Sequence, residues 1–327
     1  MSDQLEQAKS PNPQITQSTN PPYDAVLLIA FGGPNKMEDV RPFLANVLRG
    51  RPVPPERIEA VVHHYEVIGG RSPLNELTFR QADALQALLD RDGPRLPVYV
   101  GMRNWDPYLR DTLAAMQRDG KGRALGIILA AQQSDASWGR YQRDVEAARA
   151  ELNGAAPDVD YAAGWHSHPL FIDAAAAQAR GALAAIPPQR RDAAALIFTA
   201  HSIPIALADA SPYEAQLHEG AALVAERLGF AQHAVAYQSR SGNPREPWLG
   251  PDIVETVRAQ AQRGARDLLI VPLGFVCDHV EVLYDLDVEA KQAADAAGVG
   301  FLRAPAVNDH PSFIRMLAAV VAAHVRR

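Results

Sequence analysis

The sequence predicts an α/β protein of two doubly wound parallel-sheet halves that face each other across a cleft. Two observations carry this. Short, wholly apolar runs such as Ala25-Val26-Leu27-Leu28-Ile29-Ala30 alternate with longer amphipathic stretches. Strands apolar on both faces belong to parallel sheets covered by helices on either side. The second half also restarts as the first does. Ala30-Phe31-Gly32-Gly33-Pro34 and Ala200-His201-Ser202-Ile203-Pro204 each leave a buried strand through a proline-containing loop. Ligands of such sheets bind beyond the carboxyl ends of the strands, where both loops fall.

Residues 1–22 hold acids, amides and prolines without an apolar stretch, and read as a disordered, solvated tail rather than a signal peptide. The first half, 23–175, follows as strand 25–30, helices 37–48, 57–67 and 78–89, strand 98–101, helix 108–118, strand 124–131, helix 142–153 and strand 159–165. The second half, 176–327, reads as strand 193–200, helix 213–228, strand 234–237, helix 253–263, strand 267–273, one long helix 280–297, strand 300–303 and helix 311–326. The boundary falls between Pro169 and Arg191.

Composition narrows the function. The 327 residues are 47% hydrophobic and 21% charged, an ordinary globular balance. A net charge of -6 argues against a nucleic-acid partner. No run approaches the length of a membrane span. The single cysteine, Cys277, excludes a disulfide framework and a self-contained four-thiolate cluster, and fits a cytoplasmic protein.

His201 leaves the end of a buried strand, so the sheet fixes its backbone; the bland alternative is a satisfied core histidine. Beyond Asp267 another strand runs into Pro272-Leu273-Gly274-Phe275-Val276-Cys277-Asp278-His279-Val280-Glu281, followed by Asp285 and Glu289. Carboxylates spaced by four form one slowly spiralling stripe on an α-helix. That stripe is either a solvated acidic face or a delivery path for a hydrated divalent cation. Gly32-Gly33 and Gly69-Gly70 lack the context of a nucleotide site. His166-Ser167-His168 reads as a structural turn, and His63-His64 as adjacent residues that cannot face one site. Arg49, Arg51, Arg57 and Arg71 either solvate a loop or recognise substrate carboxylates through guanidinium forks.

Together these motifs resemble the ferrochelatase family. Leu196 to Pro204, Gln238-Ser239-Arg240, Pro247 to Asp252, Gly274 to Glu281, Ala30 to Pro34 and Tyr65 to Leu74 all carry the likeness, which runs from Tyr23 to the end. It is closest to the bacterial coproporphyrin III enzymes. The resemblance implies two Rossmann-like halves in the chelatase fold, and insertion of Fe²⁺, as substrate, into a porphyrin, with no organic cofactor. It implies His201 and Glu281 as the catalytic, iron-binding pair, with Asp285 and Glu289 continuing the metal row. Ser72, Tyr141, Tyr65, Arg49 and Phe31 become the porphyrin-facing residues. His201 suits the role of a general base near neutral pKa.

Four positions depart from the family's pattern, the first three by comparison with the Bacillus type. Phe31 replaces a tyrosine able to ligate product iron, Asn104 and Gln132 replace histidines, and Cys277 adds a thiol near the cleft. An iron–sulfur cluster is not expected. A monomer, an iron donor or haem-pathway enzyme as a possible partner, and no membrane span complete the expectation. The alternatives are a protoporphyrin IX ferrochelatase, a cobalt or nickel chelatase, and a non-enzymatic tetrapyrrole carrier; the carrier would not need the carboxylate stripe.

Overall fold

The computed structural model describes residues 22–50, 52–241 and 245–325. The tail expected before residue 22 lies outside them, as do Arg51 and the last two residues. Two four-stranded, fully parallel sheets form. Strands β1 (Ala25–Ala30), β2 (Val98–Met102), β3 (Arg123–Ile128) and β4 (Asp158–Tyr161) take the order β2-β1-β3-β4. Strands β5 (Ala195–His201), β6 (Ala234–Gln238), β7 (Asp267–Val271) and β8 (Gly300–Arg303) repeat it as β6-β5-β7-β8. All six residues of β1 and all five of β7 are buried, as central strands under two helical layers must be. In each sheet the chain leaves its first strand to one side and returns on the other. The switch points therefore lie above β1/β3 and β5/β7.

In the first half, α1 (Met37–Val47), α2 (Pro55–Val67), α3 (Leu74–Asp92), α4 (Leu109–Arg118) and α5 (Arg140–Glu151) cover the sheet. α3 buries Leu85 and Leu89 completely. α6 (Pro169–Leu183) runs across the expected boundary at 175/176, and the second half adds α7 (Pro188–Arg191), α8 (Ile205–Asp209), α9 (Tyr213–Leu228), α10 (Ile253–Gln262), α11 (Val280–Leu283), α12 (Lys291–Ala296) and α13 (Pro311–Val325). The sequence reading assigned no element to the span of α6. Alanine is the strongest helix former, and Ala174, Ala175, Ala176 and Ala179 are buried where α6 packs on α9 and α13. Trp165, Phe171 and Phe313 meet there, Trp165 and Phe171 edge to face at 5.1 Å.

The largest apolar cluster runs through both halves, because α13 packs on α3 as well as α6. Amides stitch the halves near the cleft. Gln133 and Gln216 exchange hydrogen bonds of 2.8 and 2.9 Å, and Gln81 donates to the Asn308 carbonyl at 2.8 Å.

Candidate active site

The loops above the second switch point gather the titratable groups. His201 is the last residue of β5, and the segment after β7 carries His279 and Glu281. Nε2 of His201 lies 3.5 Å from Oε1 of Glu281, and Nε2 of His279 lies 3.7 Å from its Oε2. The backbone behind the pair is pinned. Tyr213 donates its hydroxyl to the His201 carbonyl at 2.9 Å, and Gln238, beside His201 in the sheet, donates its side-chain amide to the Glu281 carbonyl. Nδ1 of His201 faces the Ser202 carbonyl, an acceptor, so Nδ1 carries a hydrogen and Nε2 is the nitrogen presented to Glu281.

Burial alone would lower the pKa of His201, but the Glu281 carboxylate, its hydrogen bond and the Ser202 carbonyl outweigh it and hold the imidazole at about 9. Burial would raise Glu281; His201 foremost, with His279 and Arg57, holds it down at about 2. Each partner thus favours the charged form of the other, which raises His201 and lowers Glu281. Asp285, only 8% exposed, accepts a hydrogen bond from the Ser239 hydroxyl, yet burial and the facing Glu281 push it up to about 7. Glu289 is exposed at the outer end of the row.

The expected long helix over 280–297 is interrupted. After α11 the chain makes a π-helical turn, Asp285–Ala290, before resuming as α12. The Tyr284 carbonyl accepts both Val288 N–H at 3.0 Å and Glu289 N–H at 3.1 Å. Hydrophobic periodicity does not resolve one extra residue in a turn, and such turns recur at functional sites. Asp285 and Glu289 thus sit on a widened turn rather than on the α-helical stripe.

The first half supplies the opposite wall. Phe31, following β1, Tyr65 on α2 and Trp105 each meet Phe43 edge to face, at 6.2, 6.3 and 6.3 Å. Val280, next to Glu281, packs on this cluster, so the wall reaches the site. Tyr65 is buried, and burial with the Glu281 charge pushes its phenol well above the ordinary range. Tyr141 is buried on α5, with the Arg103 guanidinium 5.8 Å from its ring centre and 5.7 Å from that of Phe31. Arg103 is held by Asp144 at 2.5 Å. Ser72 is buried against Gly33, where a Cβ would come within 2.9 Å of the serine Cβ, and its hydroxyl accepts the Leu74 N–H at 3.3 Å. Arg49 is exposed and donates to Asn46 at 2.9 Å.

Several partners were not singled out as site residues from sequence: His279, Gln238, Ser239 and Arg103. The only signal was that the first three lie inside the quoted motifs. His64, set aside with His63, stacks on Tyr284 from the other half. The two histidine replacements are structural: Asn104 donates to the Phe31 carbonyl at 3.2 Å, and Gln132 reaches the Leu273 carbonyl at 3.5 Å. Cys277 is not a cleft thiol. It is buried against Gln81, and burial pushes its pKa up to about 12.

An imidazole–carboxylate pair at a switch point, backed by further carboxylates, can exchange protons and attract a cation. The family model named Ferrochelatase matches residues 23–325. The chain belongs to the ferrochelatase family. A coproporphyrin III ferrochelatase of Nocardia farcinica is 44% identical over 92% of this chain and 88% of its own length. One from Mycolicibacterium smegmatis is 42% identical over 91% and 89%, and a ferrochelatase of Rhodopirellula baltica is 42% identical over 92% and 86%. Among solved structures, SirB from Bacillus subtilis with Fe³⁺ superposes with a TM-score of 0.58 at 9% identity, covering 92% of this chain and 95% of its own. That likeness concerns the fold. No helix among the described residues of this ferrochelatase-family chain is long and apolar enough to cross a membrane.

Proposed function

We propose that this member of the ferrochelatase family inserts Fe²⁺ into coproporphyrin III, forming coprohaem and releasing the two pyrrole protons. The observation that carries the proposal is the His201–Glu281 pair, 3.5 Å apart and backed by Asp285 and Glu289. The relatives named coproporphyrin III ferrochelatase support the choice of porphyrin, as does the exposed Arg49. A guanidinium favours a propionate over a vinyl group by a charge-assisted hydrogen bond of roughly 1.5–3 kcal/mol.

In this reading the halves 23–175 and 176–327 are the cleft walls, and Phe31, Tyr65, Tyr141 and Ser72 line the side that faces the macrocycle. Contacts remote from the pyrrole nitrogens hold the ring distorted, so that its lone pairs are exposed to the metal. Iron is substrate. A dication approaching Glu281 repels the imidazolium proton, and Nε2 of His201 becomes a ligand or base, since Nδ1 already faces the Ser202 carbonyl. Asp285, held near neutrality, takes protons from the pair and passes them toward exposed Glu289. No organic cofactor enters the scheme, nor does an iron–sulfur cluster, which one cysteine cannot ligate. The protein acts as a cytoplasmic monomer that receives iron from a donor.

The test is anaerobic insertion of Fe²⁺ into coproporphyrin III and protoporphyrin IX, compared by kcat/KM. A clear preference for coproporphyrin III is expected. Equal efficiency or a protoporphyrin preference overturns the choice of porphyrin, and failure with both overturns the enzyme.

A further inference from the structure

At the end of β8, Arg303 grips two acids of the segment that carries the carboxylate row. Its Nε and Nη2 donate to the two carboxylate oxygens of Asp287 at 2.9 and 2.6 Å, a bidentate fork. Its Nη1 donates to Asp278 at 2.9 Å. Asp278 is tied further, accepting the Ala306 N–H at 3.2 Å and the Asn308 side-chain amide at 3.0 Å, while its own N–H donates to Asn308 at 2.9 Å. The side chains of Arg303 and Asp278 are 13% and 15% exposed.

The two acids bracket the stretch that carries His279, Glu281 and Asp285. Asp278 precedes His279 and Glu281, and Asp287 lies within the π turn between Asp285 and Glu289. One guanidinium on a sheet strand thus ties both ends of the segment to the same rigid point. A π turn is an uncommon geometry whose relaxation to α would rotate Asp285 and Glu289 relative to Glu281. Arg303 also compensates two of the five acids between 278 and 289 from behind, leaving Glu281, Asp285 and Glu289 for a cation. Loss of its positive charge would leave Asp278 and Asp287 partly buried without compensation.

We propose that Arg303, acting through Asp278 and Asp287, is a positioning residue that holds the π turn so that Asp285 and Glu289 keep their places relative to Glu281 along the path of the incoming iron. The inference rests on the metal-insertion reading given above. It predicts a defect in handling the cation and none in handling the porphyrin.

The experiment uses Arg303→Lys, which keeps the charge but loses the fork, and Asp287→Asn, which keeps the shape but loses the ion pair. Both are assayed beside the unaltered protein with Fe²⁺ and coproporphyrin III. Supporting partners of metal ligands are worth about 10- to 100-fold in affinity. KM for Fe²⁺ is therefore expected to rise about tenfold or more in both variants, with the KM for porphyrin unchanged. Adding Glu289→Gln to Arg303→Lys should raise it by less than the product of the two single effects. A lower melting temperature with an unchanged KM for Fe²⁺ in either folded variant overturns the inference, as does a matched rise in both KM values. Should Arg303→Lys fail to fold, Asp287→Asn decides alone. If the unaltered protein inserts no metal, it is the reading of function that fails, and the two failures stay separate.

Discussion

His64 lies flat on Tyr284, their ring centroids 3.7 Å apart and their planes 11° from parallel. The contact joins α2 of the first half to the residue that precedes the π turn of the second, beside Val280 and its aromatic wall. Burial, with Arg57 and His63, holds His64 down at about 4, so the stacked imidazole is neutral at physiological pH. If porphyrin enters between the halves along this seam, it has to part these rings. A stack of this kind is worth about 0.5–1.5 kcal/mol. His64→Ala should therefore speed porphyrin association roughly two- to tenfold, by stopped-flow fluorescence, equally at pH 6 and pH 8. An unchanged association rate would remove the rings from the entry path.

His201→Ala should abolish iron insertion while porphyrin still binds, because Nε2 is lost and the wall built on Phe31, Phe43 and Tyr65 is untouched. Porphyrin fluorescence quenching and an anaerobic insertion assay on the same sample read the two separately. Near-full turnover in the variant would sink the assignment of His201.

Asp285 sets a pH signature. Its folded pKa of about 7 lies above the ordinary 3.8, so the folded state holds the proton more tightly than the unfolded chain. Its contribution to stability is therefore fullest below about pH 4, falls as pH rises toward 7 and is level above that. Asp285→Asn should gain stability over the unaltered protein at pH 8, by up to about 4 kcal/mol, and gain little at pH 4. The same substitution should raise the KM for Fe²⁺ at pH 8. Urea melts at the two pH values check the sign, and a variant less stable at pH 8 would refute the buried-carboxylate account.

Arg49 has no carboxylate partner among the described contacts and holds only Asn46. Arg49→Ala should weaken coproporphyrin III binding roughly tenfold, the loss of one charge-assisted hydrogen bond of about 1.5 kcal/mol, and leave the KM for Fe²⁺ alone. A loss of similar size for protoporphyrin IX would show that Arg49 does not read the extra propionates.

Much of this was legible in the chain itself. The apolar runs of β1 and β7, buried on both faces, announce parallel strands because no one-sided sheet tolerates them. The repeat of strand, proline-containing loop and helix at Phe31 and at His201 marks two halves, and the motif around Gly274 to Glu281 brings Glu281 and its acids into view. α6 escaped because a run of alanines shows little amphipathic contrast; its buried face becomes evident only against α9 and α13.

What the sequence determined by itself was the class of fold and the candidates His201, Glu281, Asp285 and Glu289; that His201 and Glu281 act as a pair came from the family resemblance. Local patterns suffice for the fold class, since burial and periodicity act within a few turns of chain. Tertiary structure alone decided the rest: that His279 joins the pair, that Cys277 turns into the core, and that Glu281 raises the pKa of His201. It also decided that Arg303 ties Asp278 and Asp287 across a π turn. Each depends on distances between segments remote in sequence, and charge interactions, desolvation and a widened helical turn follow from those distances rather than from neighbouring residues.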